Sequence, residues 1–385
     1  MSEQILILNS GSSSLKYSVF RMGSDRSLDL LTHGLIESIG GTGPSDHTEA
    51  LTQVMTSLGV TFQLFAIGHR VVHGGERFSN AVIIDSEVVE AIRSLVPLAP
   101  LHNPANLEGI QACLRLWPKV HQVAVFDTAF HQTMPQSAYR YPLPESYFKD
   151  HGVRRYGFHG TSYRSIHRRM ASYLQKAPET LNLIAFHLGN GASICRIQSG
   201  RSVDTSMGLT PMGGLIMGSR SGDLDPGLVL YLLRDLDLSV EAVDDLLNRE
   251  SGIKGVAGSN DMRLILEGCR KEDPCSMLAF QIFIRSIRHF LGAYLLEMPE
   301  LDAICFTGGI GENAPEVRSS VLKDLQWAGI RIDQGLNGRN NGCFGEIHHV
   351  SSRTRIVIVP TEEEREIAEQ TLEVLALSRE ALGHG

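Results

Sequence analysis

The stretch Ile5-Leu6-Ile7-Leu8-Asn9-Ser10-Gly11-Ser12-Ser13-Ser14-Leu15-Lys16-Tyr17-Ser18-Val19-Phe20 constrains the chain more than any other. An apolar run, a Ser/Gly turn and an alternating Leu15, Tyr17, Val19 set predict strand, tight turn, strand. Small residues let the turn's backbone approach a ligand closely, its N–H groups suit a phosphate, and Lys16 adds a point charge. Taken alone it is equally a plain hairpin. The pattern returns about half a chain later, in Leu183-Ile184-Ala185-Phe186-His187-Leu188-Gly189-Asn190-Gly191-Ala192-Ser193-Ile194-Cys195-Arg196-Ile197. Two such hairpins predict a duplicated domain with one nucleotide between the halves.

At 385 residues the chain is too long for one ordinary core, and two domains are expected. Hydrophobic residues at 42% and charged residues at 20% fit a soluble globular enzyme. The net charge of −8, without a basic run, argues against nucleic acid or an anionic membrane as partner. A small anion would need a local positive pocket. The cysteines (Cys113, Cys195, Cys269, Cys275, Cys305, Cys343) form no CxxC pair and no zinc spacing, so they read as reduced core thiols. Met1-Ser2-Glu3-Gln4 has no basic leader character, and no apolar run approaches membrane-spanning length, which points to the cytoplasm.

Phe65 to Glu76 reads as a strand ending in His69, Arg70, His73 and Gly74-Gly75. Arg70 there is placed to grip a carboxylate or phosphate bidentately, or to make a surface salt bridge. Asp85 to Leu95 reads as a capped surface helix, and Leu98 to Pro104 as a rigid turn before another. Val123 to His131 is a buried strand run that terminates in Asp127, either a site carboxylate or a turn cap. Thr161 or Ser162 is expected to cap the helix that follows, with His159 just ahead of its positive end. Val203 to Gly208 and Met217 to Gly227 form a long Gly-rich connection carrying Arg220; loops of that length are usually functional. Ser276 to Leu296 reads as a long core helix. Ala303 to Asn313 reads as strand, glycine turn, helix start, yet Ala314 breaks a dinucleotide fingerprint, and no P-loop string exists. Thr361 with Glu364 fits a capping box at the last helix, while a metal role for one of its carboxylates is the sharper alternative.

Six strings in this order resemble the acetate and propionate kinase family: Asn9 to Lys16, Gly68 to Gly75, Phe126 to His131, Gly157 to Ser162, His187 to Gly191 and Gly309 to Asn313. The resemblance runs end to end. It implies an α/β, duplicated actin-like (ribonuclease-H-like) ATPase fold with a nucleotide cleft between two domains. Residues 1–128 plus 362–385 would form the first and 129–361 the second. It implies reversible in-line transfer of the ATP γ-phosphoryl to acetate, giving acetyl phosphate and ADP, with Mg2+ or Mn2+, in a cytoplasmic homodimer. Carried over, Asn9 and Glu363 resemble the metal-site residues and Lys16 an ATP contact. Arg70 resembles the acceptor-carboxylate binder, Asp127 the catalytic aspartate, and His159 with Arg220 the pair that stabilises the transition state. His187, Leu188, Gly189, Asn190 and Gly191, then Asp261, Met262 and Arg263, then Gly309, Ile310, Gly311, Glu312 and Asn313 resemble the nucleotide segments. Val72, Leu101, Phe158 and Pro211 fall where the family forms its pocket for the substrate methyl.

Three departures stand out. Tyr163 replaces a usual histidine, the 255–263 loop is one residue short, and Glu362 replaces an Asn or Asp before the metal glutamate. A propionate or butyrate kinase, a hydroxyl-acceptor kinase and a non-metabolic ATPase of this fold share much of the pattern. A carboxylic acid with a pKa of about 4 to 5 is already ionised at neutral pH, so it needs no general base, whereas a hydroxyl does.

Overall fold

The computed structural model describes residues 3–23, 25, 27–58 and 64–382. Met1 and Ser2 of the leader argument, and the last residues of the expected first domain, lie outside them. The chain divides into two compact units, 1–132 with 160–165 and 362–385, and 133–159 with 166–361.

The first unit carries β1 (Gln4–Ser10), β2 (Ser14–Met22), β3 (Leu28–Glu37), β4 (Leu64–Val71), β5 (Val82–Ile83) and β6 (His121–Phe126). They form one sheet in the order β3-β2-β1-β4-β6-β5. β1, β2 and β3 are an antiparallel meander, and β4 and β6 join parallel to β1. The apolar run of β1 is buried on both faces, with Ile5 and Ile7 in one cluster and Leu6 and Leu8 in another. That explains a continuous apolar strand where alternation would serve a one-sided sheet. Helices cover both faces: Asn103–Leu116 places Ala112 and Cys113 against Leu6 and Leu8. The C-terminal helix Glu363–Leu382 places Ile367, Ala368 and Leu375 against Ile5 and Ile7.

The second unit carries β7 (Leu183–Leu188), β8 (Ala192–Gln198), β9 (Arg201–Thr205), β10 (Ala303–Thr307), β11 (Gly345–Glu346) and β12 (Arg355–Ile358). Their order, β11-β12-β10-β7-β8-β9, repeats the first sheet element for element. There is an antiparallel meander β7-β8-β9, then β10 and β12 in parallel, then an antiparallel edge strand. The duplication read from two hairpins is therefore a duplication of whole sheets. The long helix expected over Ser276 to Leu296 runs from Pro274 to Leu296, and Asp273 caps it by accepting from Ser276 N–H at 2.7 Å.

Three expectations are corrected. The 160–174 helix is capped by neither Thr161 nor Ser162: Asp127 lies at its start, with its carbonyl accepting from Gly160 N–H at 2.8 Å and its carboxylate facing Thr161 N–H at 3.4 Å. The capping box at the last helix does not form, because Thr361 is drawn by a stronger acceptor, its hydroxyl donating to Glu312 at 2.6 Å, while Glu364 pairs with Lys16. Of the cysteines only Cys113, Cys195 and Cys305 are buried; Cys269 is half-buried, Cys275 is exposed in the first turn of the Pro274–Leu296 helix, and Cys343 is exposed between the Gln334–Arg339 helix and β11. Among the described residues no helix is long and apolar enough to cross a membrane.

Candidate active site

In the first unit, strand ends gather the charged side chains. β4 and β6 run parallel with Val71 opposite Phe126, so Arg70 and Asp127 emerge together at their carboxyl ends, the usual ligand position of such sheets. Arg70 Nη2 donates to Asp127 Oδ2 at 2.9 Å and Nη1 reaches Asn9 Oδ1 at 3.4 Å, while the buried Nε has no hydrogen-bond partner among the described residues. Burial alone would lower the Arg70 pKa, but Asp127, Glu363 and Glu364 outweigh it and hold it above the ordinary value. Burial pushes the Glu363 carboxyl up to about 7; Arg70 and Lys16 oppose that, and the charges of Asp127 and Glu364 add to it. Asp127, Glu363 and Glu364 thus lie around Arg70 together with the amide oxygen of Asn9, and hard oxygen donors of this kind fit a divalent cation.

Among the described residues no three His, Cys, Asp or Glu side chains form a ready-made metal cage.

The β1–β2 turn beside Asn9 is held from outside. Asn106 Nδ2 donates to Ser10 carbonyl at 2.7 Å, and His47 faces Gly11 carbonyl with Nε2 and Glu108 with Nδ1, both at 3.0 Å. Asn106 also accepts from Val72 N–H at 3.0 Å, and Asn103 from His73 N–H at 3.1 Å, which ties the Arg70 strand end to one helix. Sequence reasoning passed over these asparagines. Their signal was two Asn three apart on the buried face of an otherwise apolar helix. Val72 is buried and Leu101 is exposed. Lys16 is turned to Glu364.

In the second unit, His159 holds a left-handed backbone (φ 60°, ψ 22°) immediately before the helix, a conformation that costs on the order of 1 kcal/mol for a residue with a side chain. Its ring stacks on His187 with centroids 4.1 Å apart, and its Nδ1 meets Ser193 Oγ at 2.8 Å. A Cβ placed on Gly191 would stand 3.5 Å from His159 Nε2 and 3.6 Å from Arg220 Nη1. The two donors therefore converge on the β7–β8 turn. Arg220 Nη1 also donates to Pro211 carbonyl at 3.3 Å, and burial lowers the Arg220 pKa. Phe158 is buried beside His159.

Gly189, Asn190, Asp261, Met262, Arg263, Gly309, Ile310 and Asn313 line one cavity of about 560 Å3, within the usual range for a small-molecule site, together with Asn260 and Leu266, which sequence reasoning missed. Gly308, just before Gly309, has φ 79°, and a side chain there would press 2.7 Å from Leu188 carbonyl. Glu312 does not face this cavity: its carboxylate accepts from Gly308 N–H and Thr361 N–H, both at 2.9 Å, so it braces the turn. Asp261 caps the helix Met262–Arg270 and is held down to about 2 by the Arg263 side chain.

Duplicated sheets of this order, each opening on a hairpin with a polar glycine turn, define the actin-like ATPase fold. Within it the chain belongs to the acetokinase family, whose sequence model matches residues 4–369. It is 46% identical to the acetate kinase of Sulfurovum sp. over 96% of this chain and 98% of that one. To the acetate kinase of Pseudomonas aeruginosa it is 46% identical over 97% of this chain and 99% of that one. The crystal structure of Porphyromonas gingivalis acetate kinase superposes with a TM-score of 0.91 at 39% identity, covering 97% of this chain and all of that one. A propionate kinase from Francisella tularensis superposes at 0.90 with 38% identity, over 97% of this chain and all of that one.

Proposed function

We infer that this chain transfers the γ-phosphoryl group of ATP to acetate, reversibly and in line, giving acetyl phosphate and ADP. The observation that carries a carboxylate acceptor, beyond family membership, is the state of Asp127. Its Oδ2 accepts from Arg70 at 2.9 Å and its Oδ1 faces Thr161 N–H at 3.4 Å. A carboxylate committed to a buried guanidinium serves to hold that cation, and an acetate acceptor, already ionised, asks for no proton acceptor. Arg70, with its spare buried Nε donor, grips the acceptor carboxylate, and Asp127 holds Arg70 for that task.

The cavity lined by Asn190, Asn260, Asp261 and Gly309 takes the nucleotide, and Lys16 leaves Glu364 to meet its phosphates. His159 and Arg220 donate to the equatorial oxygens of the transferring group, where negative charge is spread in the transition state. Asn9 and Glu363 hold Mg2+, which when bound neutralises phosphate charge. Val72, Leu101, Phe158 and Pro211 meet the acetate methyl. One methylene in such a pocket is worth only about 1 to 3 kcal/mol, and the propionate kinase of similar structure keeps propionate as a second acceptor. The helix Pro226–Arg234 and its continuation expose Leu228, Leu230, Tyr231 and Leu236, a patch that supports a homodimer. The buried, unpaired Cys113, Cys195 and Cys305 suit the reducing cytoplasm.

An acyl-phosphate product assay with acetate, propionate and glycerol side by side tests the reading. Acetyl phosphate should dominate, and phosphorylation of glycerol alone would overturn it.

A further inference from the structure

We propose that Ser193 is a positioning residue for phosphoryl transfer, its hydroxyl keeping His159 Nε2 a hydrogen-bond donor aimed at the transferring group. This rests on the role assigned above to His159. The ring is held through its backbone, its face and its edge. Its backbone is fixed in the left-handed region at the helix start, its face lies on His187 at 4.1 Å and 25°, and its Nδ1 meets Ser193 Oγ at 2.8 Å. His187 and Ser193 are paired across the β7–β8 hairpin, so one rung of the ladder supplies both the face and the edge contact, and cross-strand partners project to the same side. Ser193 is fully buried, so water does not replace its hydroxyl.

The face contact alone leaves the ring free to turn over, which would carry Nε2 away from the Gly191 turn. A hydroxyl opposite Nδ1 removes that freedom, because it distinguishes nitrogen from carbon.

The choice of a hydroxyl has a further consequence. In this arrangement the neutral imidazole accepts from the Ser193 hydroxyl at Nδ1 and carries its ring proton on Nε2. Towards an imidazolium the hydroxyl accepts from Nδ1–H, and Nε2 is again protonated. Nε2 therefore presents N–H in both charge states, to the turn where Arg220 Nη1 also points. A carboxylate in place of Ser193 would pull the proton of a neutral ring to Nδ1 and leave Nε2 a bare lone pair facing phosphate oxygens.

The test is steady-state kinetics of Ser193→Ala, Ser193→Cys and Ser193→Thr from pH 6 to 9, with 15N spectra of histidine-labelled protein. We expect kcat to fall about tenfold in Ala and in Cys, which preserves volume but bonds weakly, with KM for ATP and acetate within about twofold. Thr, which keeps the hydroxyl, should stay near wild type. In the wild type the neutral His159 ring should show the Nε2–H form throughout, and in Ser193→Ala a mixture of tautomers. In a His159→Ala background, Ser193→Ala should cost nothing more. If His159→Ala lowers kcat while Ser193→Ala and Ser193→Cys do not, or if they raise KM alone, the proposal for Ser193 falls and His159 keeps its role. If His159→Ala leaves kcat unchanged, the underlying assignment falls instead.

Discussion

Arg70 and Asp127, 57 positions apart in sequence, are joined by a charge-assisted hydrogen bond of 2.9 Å at the ends of two adjacent parallel strands. Asp127 is 1% exposed and the Arg70 side chain 17%, so the pair is largely dry and each residue orients the other. Removing one partner takes from the other, in a buried setting, its short charge-assisted hydrogen bond.

For Arg70 the expected consequence is an effect on acceptor binding. A guanidinium grip on a carboxylate acts in the ground state as well as in the transition state, so Arg70→Lys, which keeps charge but loses the fork, should raise the acetate KM about 10- to 100-fold and lower kcat less. Steady-state kinetics at saturating ATP measures this. An unchanged acetate KM would remove Arg70 from the acceptor site.

Much of this pair was legible beforehand, because apolar strands that end in Arg70 and Asp127 are local patterns. The turns at Asn9 to Ser14, His187 to Gly191 and Gly309 to Asn313 were legible for the same reason. What escaped is what only tertiary structure decides. Thr161 and Ser162 are good local caps, yet His159 holds the cap position and Asp127, from another element, receives Gly160 N–H and faces Thr161 N–H. Asn106 reaches Ser10 across 96 residues, and no periodicity announces such a bond. Thr361 and Glu364 satisfied a local rule, and two distant partners, Glu312 and Lys16, outcompeted it.

The Gly308–Asn313 turn, proposed above to meet the nucleotide, has its own buried anchor. Arg318 is fully buried and spends Nε on Asn337 Oδ1 at 2.7 Å, Nη1 on the carbonyls of Gly311 and Glu312 at 2.8 and 2.7 Å, and Nη2 on Asn337 carbonyl at 3.0 Å. Burial pulls its pKa down to about 10, with Glu316 opposing. Arg318→Met should leave these carbonyls unpaired, cost about 2 to 4 kcal/mol of stability, and raise the ATP KM about tenfold with the acetate KM nearly constant. Denaturant melts and a KM comparison test both halves. A shift in the acetate KM instead would detach Arg318 from the nucleotide turn.

Stability should fall on mild acidification. His69 and His73 are buried, and burial lowers both to about 4, from about 6.5 when unfolded. His73 Nδ1 accepts from Gly75 N–H at 3.0 Å, a bond that protonation there would break. Since the folded values are the lower ones, the unfolded chain binds the extra protons. The contribution is complete above pH 6.5 and is lost as pH drops towards 4, on the order of 3 kcal/mol for each ring. Urea unfolding between pH 7 and 4.5 should show stability falling with pH, and His69→Gln should reduce the slope by about one proton. An identical slope in wild type and variant would mean that His69 takes up its proton in the folded state.

The acceptor chemistry is decided at Asp127. If its task is to hold Arg70 and the metal site in place, Asp127→Asn keeps the shape and one acceptor oxygen but removes the charge, and kcat should fall by about 100-fold or more. Raising the pH should not restore it, because an acetate acceptor is ionised throughout the neutral range and its deprotonation was never the obstacle. Were Asp127 instead a general base for a hydroxyl, the variant would recover as hydroxide or a more acidic acceptor took over the proton. The measurement is kcat of Asp127→Asn from neutral to alkaline pH with Mg2+ saturating. A flat, depressed profile supports the carboxylate acceptor, and a steep rise absent from the wild type would return the site to a hydroxyl kinase.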